Sequence, residues 1–331
     1  MLGEHVEPAR LGFGCVKLGS ASAGGSWRAQ VRLVQHAIDR GITTFDTADA
    51  YGNGLSETIV GRAVRGRRSE VEIATKVGYH FSERRLSAHT FARLGRPLVQ
   101  RVRGLRSHPT PSTGGTAAAS GGAYSTQDLS PEYLRRAVDA SLRRLGTDHI
   151  DVLQLHGPRT LVPSVAEEMQ RLKAAGKIRR FGVGAESLAS AIEWLGVDGL
   201  DTVQVPFGVL DPQAATSVLP LAATRGVEVW ARGVLGGGYL AMAVNGDPAI
   251  RADEKWPLIR DLLAVAARHD VPVYKLAVDY VRSFPGVATL LVGIQSEAHL
   301  SDNLAIMNSP MVAEAAIAEV TGLLAGSVGE P

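Results

Sequence analysis

The sequence is poor in the features that mark several common classes of protein. It has one cysteine, Cys15, in 331 residues, which excludes an intramolecular disulfide and a four-cysteine metal site. The formal net charge is only +2, too small for a typical nucleic-acid-binding protein. No apolar run approaches the roughly 18 residues of a membrane helix, and the start, MLGEHVEPARLG, lacks a signal-peptide core. We therefore expect a cytoplasmic protein without nucleic-acid or membrane partners.

Short β-rich runs alternate with helical patterns along almost the whole chain. Several runs are nearly continuously apolar, as in IDVLQL, which suits parallel strands covered on both faces. Eight strands alternating with helices predict one α/β domain over residues 1–331, a (β/α)8 TIM barrel, with a doubly wound open sheet as the alternative. The predicted strands lie near Leu11–Cys15, Thr43–Thr47, Val71–Val77, Ile150–His156, Arg180–Gly184, Thr202–Pro206, Val227–Arg232 and Thr289–Gly293.

Apolar stripes and capping residues predict the helices. The segment Arg28–Arg40 has an apolar face and stops at Gly41. The helix Ser130–Gly146 opens with Ser130 as N-cap and Pro131 at its first position. Further helices are predicted over Ser164–Ala175, Leu188–Trp194, Pro212–Arg225, Ala252–His269 and Tyr274–Ser283.

A long insertion at residues 82–128 follows the third predicted strand. Its first part, Ser82–His108, holds seven arginines and favours a short basic amphipathic helix after Pro97. Its second part, Thr110–Gln127, is uncharged and poor in apolar residues, which is typical of a flexible loop. The insertion is either a solvated loop or a lid whose arginines, among them Arg101, Arg103 and Arg106, bind an anionic substrate such as a phosphorylated sugar.

Four polar residues fall at or just beyond the carboxyl ends of predicted strands, where barrel enzymes carry their chemistry. They are Asp46, Tyr51, Lys76 and His156. A phenol can donate a proton to the oxygen of a carbonyl group that receives a hydride, and a neighbouring ammonium lowers the pKa of that phenol. A buried lysine needs a carboxylate partner. The histidines are dispersed, and we predict no metal site.

The motifs that carry these residues resemble those of the aldo-keto reductase family, between about Leu11 and Ala305. They include AIDRGITTFDTADAYGNGLSETIVGRAV, EIATKVG, HIDVLQLHGP, GKIRRFGVG and TLLVGIQSEAHLSDNL. The resemblance implies an NAD(P)-dependent oxidoreductase that moves a hydride between nicotinamide and a carbonyl or alcohol, such as a sugar-derived compound. Tyr51 is then the general acid, Lys76 and Asp46 tune it, and His156 polarises the substrate. The alternative is a regulatory or interaction subunit with the same barrel and little turnover.

The resemblance also implies a cofactor, NADP, with NAD as the alternative. Phe207 would stack on the nicotinamide and Gln204 would bind its carboxamide, whereas the family's usual Ser-Asn pair is replaced by Gly184 and Ala185. Because no lysine or arginine lies between Gly293 and Asn303, we expect modest discrimination between the two cofactors. The residues implied in cofactor binding are Cys15, Val16, Asp46, Gln204, Phe207, Arg232, Val234, Leu235, Gly236, Gly293, Gln295, His299 and Asn303.

Overall fold

Eight parallel strands, each hydrogen-bonded to the next along the chain and the last to the first, close into a barrel. The computed structural model describes residues 9–20, 26–81 and 126–327. Each predicted strand is found, with its ends displaced by at most two residues, so the (β/α)8 prediction is confirmed and the open sheet is excluded. The strands are β1 (Arg10–Gly14), β2 (Thr44–Asp46), β3 (Glu72–Val77), β4 (Ile150–His156), β5 (Ile178–Gly184), β6 (Thr202–Pro206), β7 (Glu228–Arg232) and β8 (Val287–Gly293).

Helices cover the outside of the strands. Ser130 caps one of them as predicted, its hydroxyl accepting a hydrogen bond from the amide of Tyr133. Within the described ranges, no helix has the length and apolar content needed to cross a bilayer. The helices are α1 (Trp27–Asp39), α2 (Leu55–Ala63), α3 (Pro131–Leu145), α4 (Pro163–Ala174), α5 (Leu188–Trp194), α6 (Ala214–Ser217), α7 (Leu219–Arg225), α8 (Tyr239–Val244), α9 (Trp256–Arg268), α10 (Val273–Arg282), α11 (Glu297–Asn308) and α12 (Glu314–Ser327).

The predicted helix Pro212–Arg225 is wrong as a continuous element. It is divided into α6 and α7 at Val218, directly before the first turn of α7, which contains Pro220. Proline lacks the amide hydrogen that an uninterrupted helix would use there. The sequence analysis also missed α2, α8, α11 and α12.

A ring of four charged side chains fills the N-terminal end of the barrel. Arg10 and Arg180 alternate with Glu72 and Glu228, and each arginine contacts both glutamates. The four come from β1, β3, β5 and β7, because side chains of alternate strands share one layer in such a barrel.

Apolar side chains fill the next part of the interior. Trp230, Ala74, Val152 and Leu291 form a separate buried cluster inside the barrel. Because the charged ring and this cluster occupy the lower interior of the described barrel, its interior polar side chains are open to a ligand above them, at the carboxyl ends of the strands.

Most of the predicted insertion, residues 82–125, lies outside the described residues. The helix after Pro97, the flexible loop and the two hypotheses for the arginines therefore stay predictions. The end of the insertion is described, and Gln127 there forms an antiparallel bridge with Tyr79. This bridge brings the residues before α3 to the carboxyl end of β3.

Candidate active site

A buried ion pair joins the carboxyl ends of β2 and β3. The ammonium of Lys76 lies 2.5 Å from Oδ1 of Asp46 and donates a second hydrogen bond to the carbonyl oxygen of Thr47, at 3.2 Å. The two charged residues are 2% and 5% exposed, so each depends on the other to offset its lost hydration. The sequence analysis predicted this pairing.

Tyr51 lies on a short turn between β2 and α2. Three successive residues after it, Gly52, Asn53 and Gly54, have positive φ angles of 58°, 54° and 84°. Glycine adopts this backbone without a steric penalty, and asparagine tolerates it better than most residues. The turn carries the Tyr51 ring back over the ion pair, with its centroid 5.3 Å from Nζ of Lys76.

Hydrogen bonds anchor the two ends of this loop. The hydroxyls of Thr47 and Ser56 are 2.8 Å apart, and Ser56 also donates to the carbonyl oxygen of Cys15 at 3.1 Å. The loop between β2 and α2 is thereby tied to the end of β1, which limits the movement of Tyr51 relative to the barrel.

The imidazole of His156 stands at the end of β4 between two aromatic rings. Tyr51 meets it edge to face, with centroids 5.8 Å apart and planes at 89°, and Tyr79 does so at 5.5 Å and 90°. Burial, with smaller contributions from the positive charges of Lys76 and Arg232, lowers the pKa of His156 from 6.5 to about 3. At neutral pH the imidazole is therefore uncharged.

The phenol of Tyr51 is held in its protonated form. Burial is the largest cause and raises its pKa well above the ordinary value, the negative charge of Asp46 adds to the rise, and Arg232 opposes it. The sequence argument expected a neighbouring ammonium to lower this pKa. In the structure the burial of the phenol outweighs the effect of neighbouring positive charge.

Arg232, at the end of β7, contributes a second cation to the catalytic end of the barrel. Its guanidinium donates to the carbonyl oxygen of Ala185 at 3.1 Å. Burial lowers the pKa of Arg232, and the charge interacts with both Tyr51 and Asp46. The sequence analysis placed this residue among those that bind the cofactor and missed its influence on Tyr51.

Two glutamines lie deeper in the barrel than His156. Gln154 is on β4, two residues before His156, and Gln204 is on β6. Both are buried, and among the described residues neither the amide nitrogen of Gln204 nor either polar atom of Gln154 has a hydrogen-bond partner. Gln204 was predicted to bind cofactor, whereas Gln154 was missed.

The other cofactor candidates follow the ends of three neighbouring strands. Cys15 and Val16 follow β1. Val234, Leu235 and Gly236 follow β7, where three successive glycines, residues 236–238, have positive φ angles. Gly293 ends β8, and Gln295, His299 and Asn303 continue from it into α11. Backbone amides of such a glycine turn and of a helix start suit the phosphates of a dinucleotide.

The cofactor candidates that follow β8 differ in their exposure to solvent. His299 and Gln295 are exposed, whereas Asn303 is 7% exposed. Ser296 caps α11 by accepting a hydrogen bond from the amide of His299 at 3.2 Å. Within residues 9–20, 26–81 and 126–327, no three metal-ligating side chains come together.

Phe207 does not fit the stacking role that the sequence analysis gave it. Its ring is 0% exposed and packs against Tyr280 and Phe284, with centroids 6.0 and 5.1 Å away. Tyr280 belongs to α10, on the outside of the barrel. The prediction is corrected accordingly: the ring has no free face for a nicotinamide.

Polar side chains beyond His156 were also missed. Gln127 donates to the carbonyl oxygens of His156 and Gly157, at 3.2 and 2.8 Å, and accepts from the amide of Arg159. The phenol of Tyr79 is influenced by the charges of Glu186 and Arg159. These residues give the rim beside His156 a mixed charge.

Comparisons with known proteins agree with this geometry. The family model described as the aldo/keto reductase family matches residues 10–324. Aldo-keto reductase YhdN of Bacillus subtilis is 29% identical, with 89% of this chain and 84% of the relative covered. D-threo-aldose 1-dehydrogenase of a Pseudomonas species is 27% identical, with 88% and 87% covered. NADH-specific methylglyoxal reductase of Escherichia coli is 26% identical, with 91% and 90% covered.

Solved structures give the same result. An aldo-keto reductase from Bacillus halodurans in its holo form superposes with a TM-score of 0.74 at 26% identity, covering 96% of this chain and 92% of the other. An aldo-keto reductase from Klebsiella pneumoniae in complex with NADPH has a TM-score of 0.62 at 25% identity, covering 95% and 90%. With the family model matching nearly its whole length, the chain belongs to the aldo/keto reductase family.

Proposed function

We propose that this chain catalyses hydride transfer between NADP and the carbonyl or alcohol carbon of a small substrate, with Tyr51 as the proton donor. The observation that carries the proposal is the convergence of Tyr51, His156 and the Lys76–Asp46 pair at the open end of the barrel. Nicotinamide, when bound, supplies or accepts the hydride. The chain's own residues must then manage the charge on the substrate oxygen.

Tyr51 supplies the proton that this oxygen needs. Its phenol is protonated at neutral pH, and loss of the proton would leave a phenolate beside Lys76 and within the field of Arg232. Two cations stabilise that phenolate as it forms. Asp46 keeps the ammonium of Lys76 in place, so that the cation is present without movement of the protein during the reaction.

His156 orients the substrate oxygen. A neutral imidazole donates one hydrogen bond without bringing a third positive charge into the site, and its low pKa keeps it neutral throughout the physiological range. The two flanking tyrosine rings hold the imidazole plane, so its hydrogen bond has a set direction.

The cofactor residues fit a dinucleotide bound across the ends of β6, β7 and β8. The unpartnered amide nitrogen of Gln204 faces the barrel interior, where a nicotinamide carboxamide would supply the acceptor. The glycine turn after β7 and the start of α11 supply backbone amides for the phosphates. The NADPH complex of the Klebsiella pneumoniae structure supports NADP, and the NADH-specific relative keeps NAD as the alternative.

The charges of the rim support a proposal for the substrate class. Arg159 and Glu186 bring opposite charges to the region of Tyr79, next to His156. Such a rim can hydrogen-bond hydroxyl groups and does not select strongly for an anion, which favours a polyhydroxy carbonyl compound such as an aldose. The D-threo-aldose 1-dehydrogenase relative supports this class.

The test is a turnover assay with NADPH or NADH and a panel of aldoses and small aldehydes, in which the absorbance of the reduced nicotinamide is measured over time. We expect turnover with an aldose, and oxidation of the corresponding alcohol when NADP is supplied instead. Tight cofactor binding without turnover on any substrate of the panel would contradict the proposal and support a regulatory subunit.

A further inference from the structure

Strand β5 presents two glycines to the interior of the barrel. A β-carbon built on Gly182 would lie 2.1 Å from the hydroxyl oxygen of Thr202 and 3.1 Å from Cγ of Gln154. A β-carbon on Gly184 would lie 3.2 Å from Oε1 of Gln154. The space that two side chains of β5 would normally occupy is therefore taken by Thr202 of β6 and Gln154 of β4, and Gln154 borders both glycine positions.

These distances show the direction in which the side chain of Gln154 extends. Its Cγ lies beside Gly182 and its amide oxygen beside Gly184, so the side chain rises along β5 towards the open end of the barrel. The same point at Gly184 is 3.4 Å from Cε of Lys76. The amide of Gln154 thus reaches the level of the catalytic lysine.

The buried position of the Gln154 amide costs free energy unless a ligand forms hydrogen bonds with it. Gln154 is 0% exposed, and within the described ranges neither its Nε2 nor its Oε1 has a hydrogen-bond partner. Buried side-chain amides are normally paired, because an unpaired one loses its bonds to water without compensation. Thr202, one layer below, is also unpaired, but it offers a single hydroxyl at a position covered by Gly182.

A second unpaired amide stands across β5. Gln204 pairs in register with Gly184 and Gln154 with Gly182, so the two glutamines flank β5, and the amide of Gln154 extends to the level of Gly184. Together they offer both a carbonyl oxygen and amide hydrogens. A primary carboxamide is the ligand group that has the complementary acceptor and donors.

We infer that Gln154, together with Gln204, holds the carboxamide of the nicotinamide, and that glycine at position 184 is what allows Gln154 to reach it. This inference rests on the proposed function, because it requires a nicotinamide at this end of the barrel. It adds a cofactor-binding residue on β4, where the sequence analysis found none.

The experiment compares three ligands by calorimetry, without turnover. The first is NADP⁺; the second is its 3-acetylpyridine analogue, in which a methyl group replaces the carboxamide nitrogen; the third is 2′-phospho-ADP-ribose, which has no nicotinamide. The test variant is Gln154→Met, which keeps an unbranched side chain of similar length. Thr202→Val is the matched control, because it removes a buried unpaired polar atom one layer lower.

For Gln154→Met we expect the Kd of NADP⁺ to rise at least about tenfold, as for the loss of a buried hydrogen-bonded pair. The rise should be smaller for the acetylpyridine analogue, and the Kd of 2′-phospho-ADP-ribose should stay within about twofold. Thr202→Val should bind all three ligands as the wild type does. An equal rise for NADP⁺ and 2′-phospho-ADP-ribose, or no rise for either, overturns the inference.

Gly184→Ala is a second test variant, to be used if Gln154→Met does not fold. Gly184→Ala leaves the Gln154 amide intact but places a carbon 3.2 Å from its oxygen, so the same selective loss is expected. The two proposals fail differently. A wild-type protein that binds neither NADP⁺ nor NAD⁺ overturns the proposed function and this inference with it, whereas tight binding that is unaffected at Gln154 overturns the inference alone.

Discussion

The ring of Tyr51 stands perpendicular to the imidazole of His156, at 89° and with centroids 5.8 Å apart. This arrangement leaves the phenol and the imidazole to approach one substrate oxygen from different directions. One group can then donate the proton while the other holds the oxygen, which divides the work between a neutral acid and a neutral hydrogen-bond donor.

Removing the Tyr51 hydroxyl should greatly reduce catalysis and leave cofactor binding almost unchanged. For Tyr51→Phe we expect kcat to fall at least about a hundredfold, since positioned acid catalysis contributes that much or more. The ring and its contacts remain, so the Kd of the cofactor should change little. Steady-state kinetics and calorimetry measure the two quantities. Tyr79→Phe is the control on the other side of His156, and near-normal kcat in Tyr51→Phe would refute the assignment of the acid.

Breaking the Lys76–Asp46 pair should lower stability as well as activity. Lys76→Met leaves a buried carboxylate without its cation, and we expect a loss of about 3–5 kcal/mol in the free energy of unfolding. The double variant Asp46→Asn with Lys76→Met removes both charges and should recover part of that loss while staying inactive. Denaturant unfolding measures the stability. Equal stability of the single and double variants would show that the two charges are not coupled.

The low pKa of His156 makes stability depend on pH. The folded-state pKa, about 3, lies below the usual 6.5, so the unfolded chain binds the proton first as the pH falls. Stability due to the neutral imidazole is therefore complete above about 6.5 and is lost as the pH drops towards 3. Between about pH 8 and pH 5, the wild type should lose about 2 kcal/mol more than His156→Gln. The exposed-site variant His299→Gln should follow the wild type; parallel curves for all three would contradict the prediction.

Three residues of the site were predictable because they end strands. Asp46, Lys76 and His156 fall at strand ends that the apolar runs locate well, and parallel strands bring those ends together. The position of Tyr51 could not be predicted in this way, because it depends on three left-handed residues in a loop. Its role was implied by resemblance to a family.

Phe207 and Gln154 show where the sequence argument failed. Side chains alternate between the two faces of a strand. Gln204 faces the interior, so a residue three positions later faces outwards, which places Phe207 against α10. The same alternation puts Gln154 inside, two residues before His156. The role that we propose for Gln154 could not be predicted from the sequence, because it depends on two glycines of the neighbouring strand that make room for the side chain.

The absence of lysine and arginine from residues 293–303 predicts weak cofactor discrimination. The ratio of Kd values for NADP⁺ and NAD⁺ should stay below about a hundredfold, or roughly 3 kcal/mol. Calorimetry with both cofactors measures it. A preference above about a thousandfold would require a cation from elsewhere. Arg40 would then be the first to test, because it donates to the hydroxyl of Ser301 in α11 at 2.7 Å.

Gly182 should tolerate no side chain. Gly182→Ala places a carbon 2.1 Å from the Thr202 hydroxyl, and we expect a loss of about 1–3 kcal/mol from overpacking. Adding Thr202→Ala removes the clashing atom and should restore part of the stability. Gly286→Ala is the control, because its added carbon meets nothing closer than 3.9 Å. Thermal unfolding of the wild type, the two single glycine variants and the double variant measures these stabilities. An unchanged stability of Gly182→Ala would mean that β5 and β6 separate easily.

The filled floor of the barrel has a consequence for the sequence of events in turnover. Trp230 and the four charged residues beneath it occupy the lower interior, so in the described part of the chain both reactants must pass through the upper opening. Gln154 and Gln204 lie deeper than His156. Under the proposed function the nicotinamide therefore sits beneath the substrate. The cofactor must arrive before the substrate and depart after the product, and product-inhibition kinetics should show a compulsory order of binding.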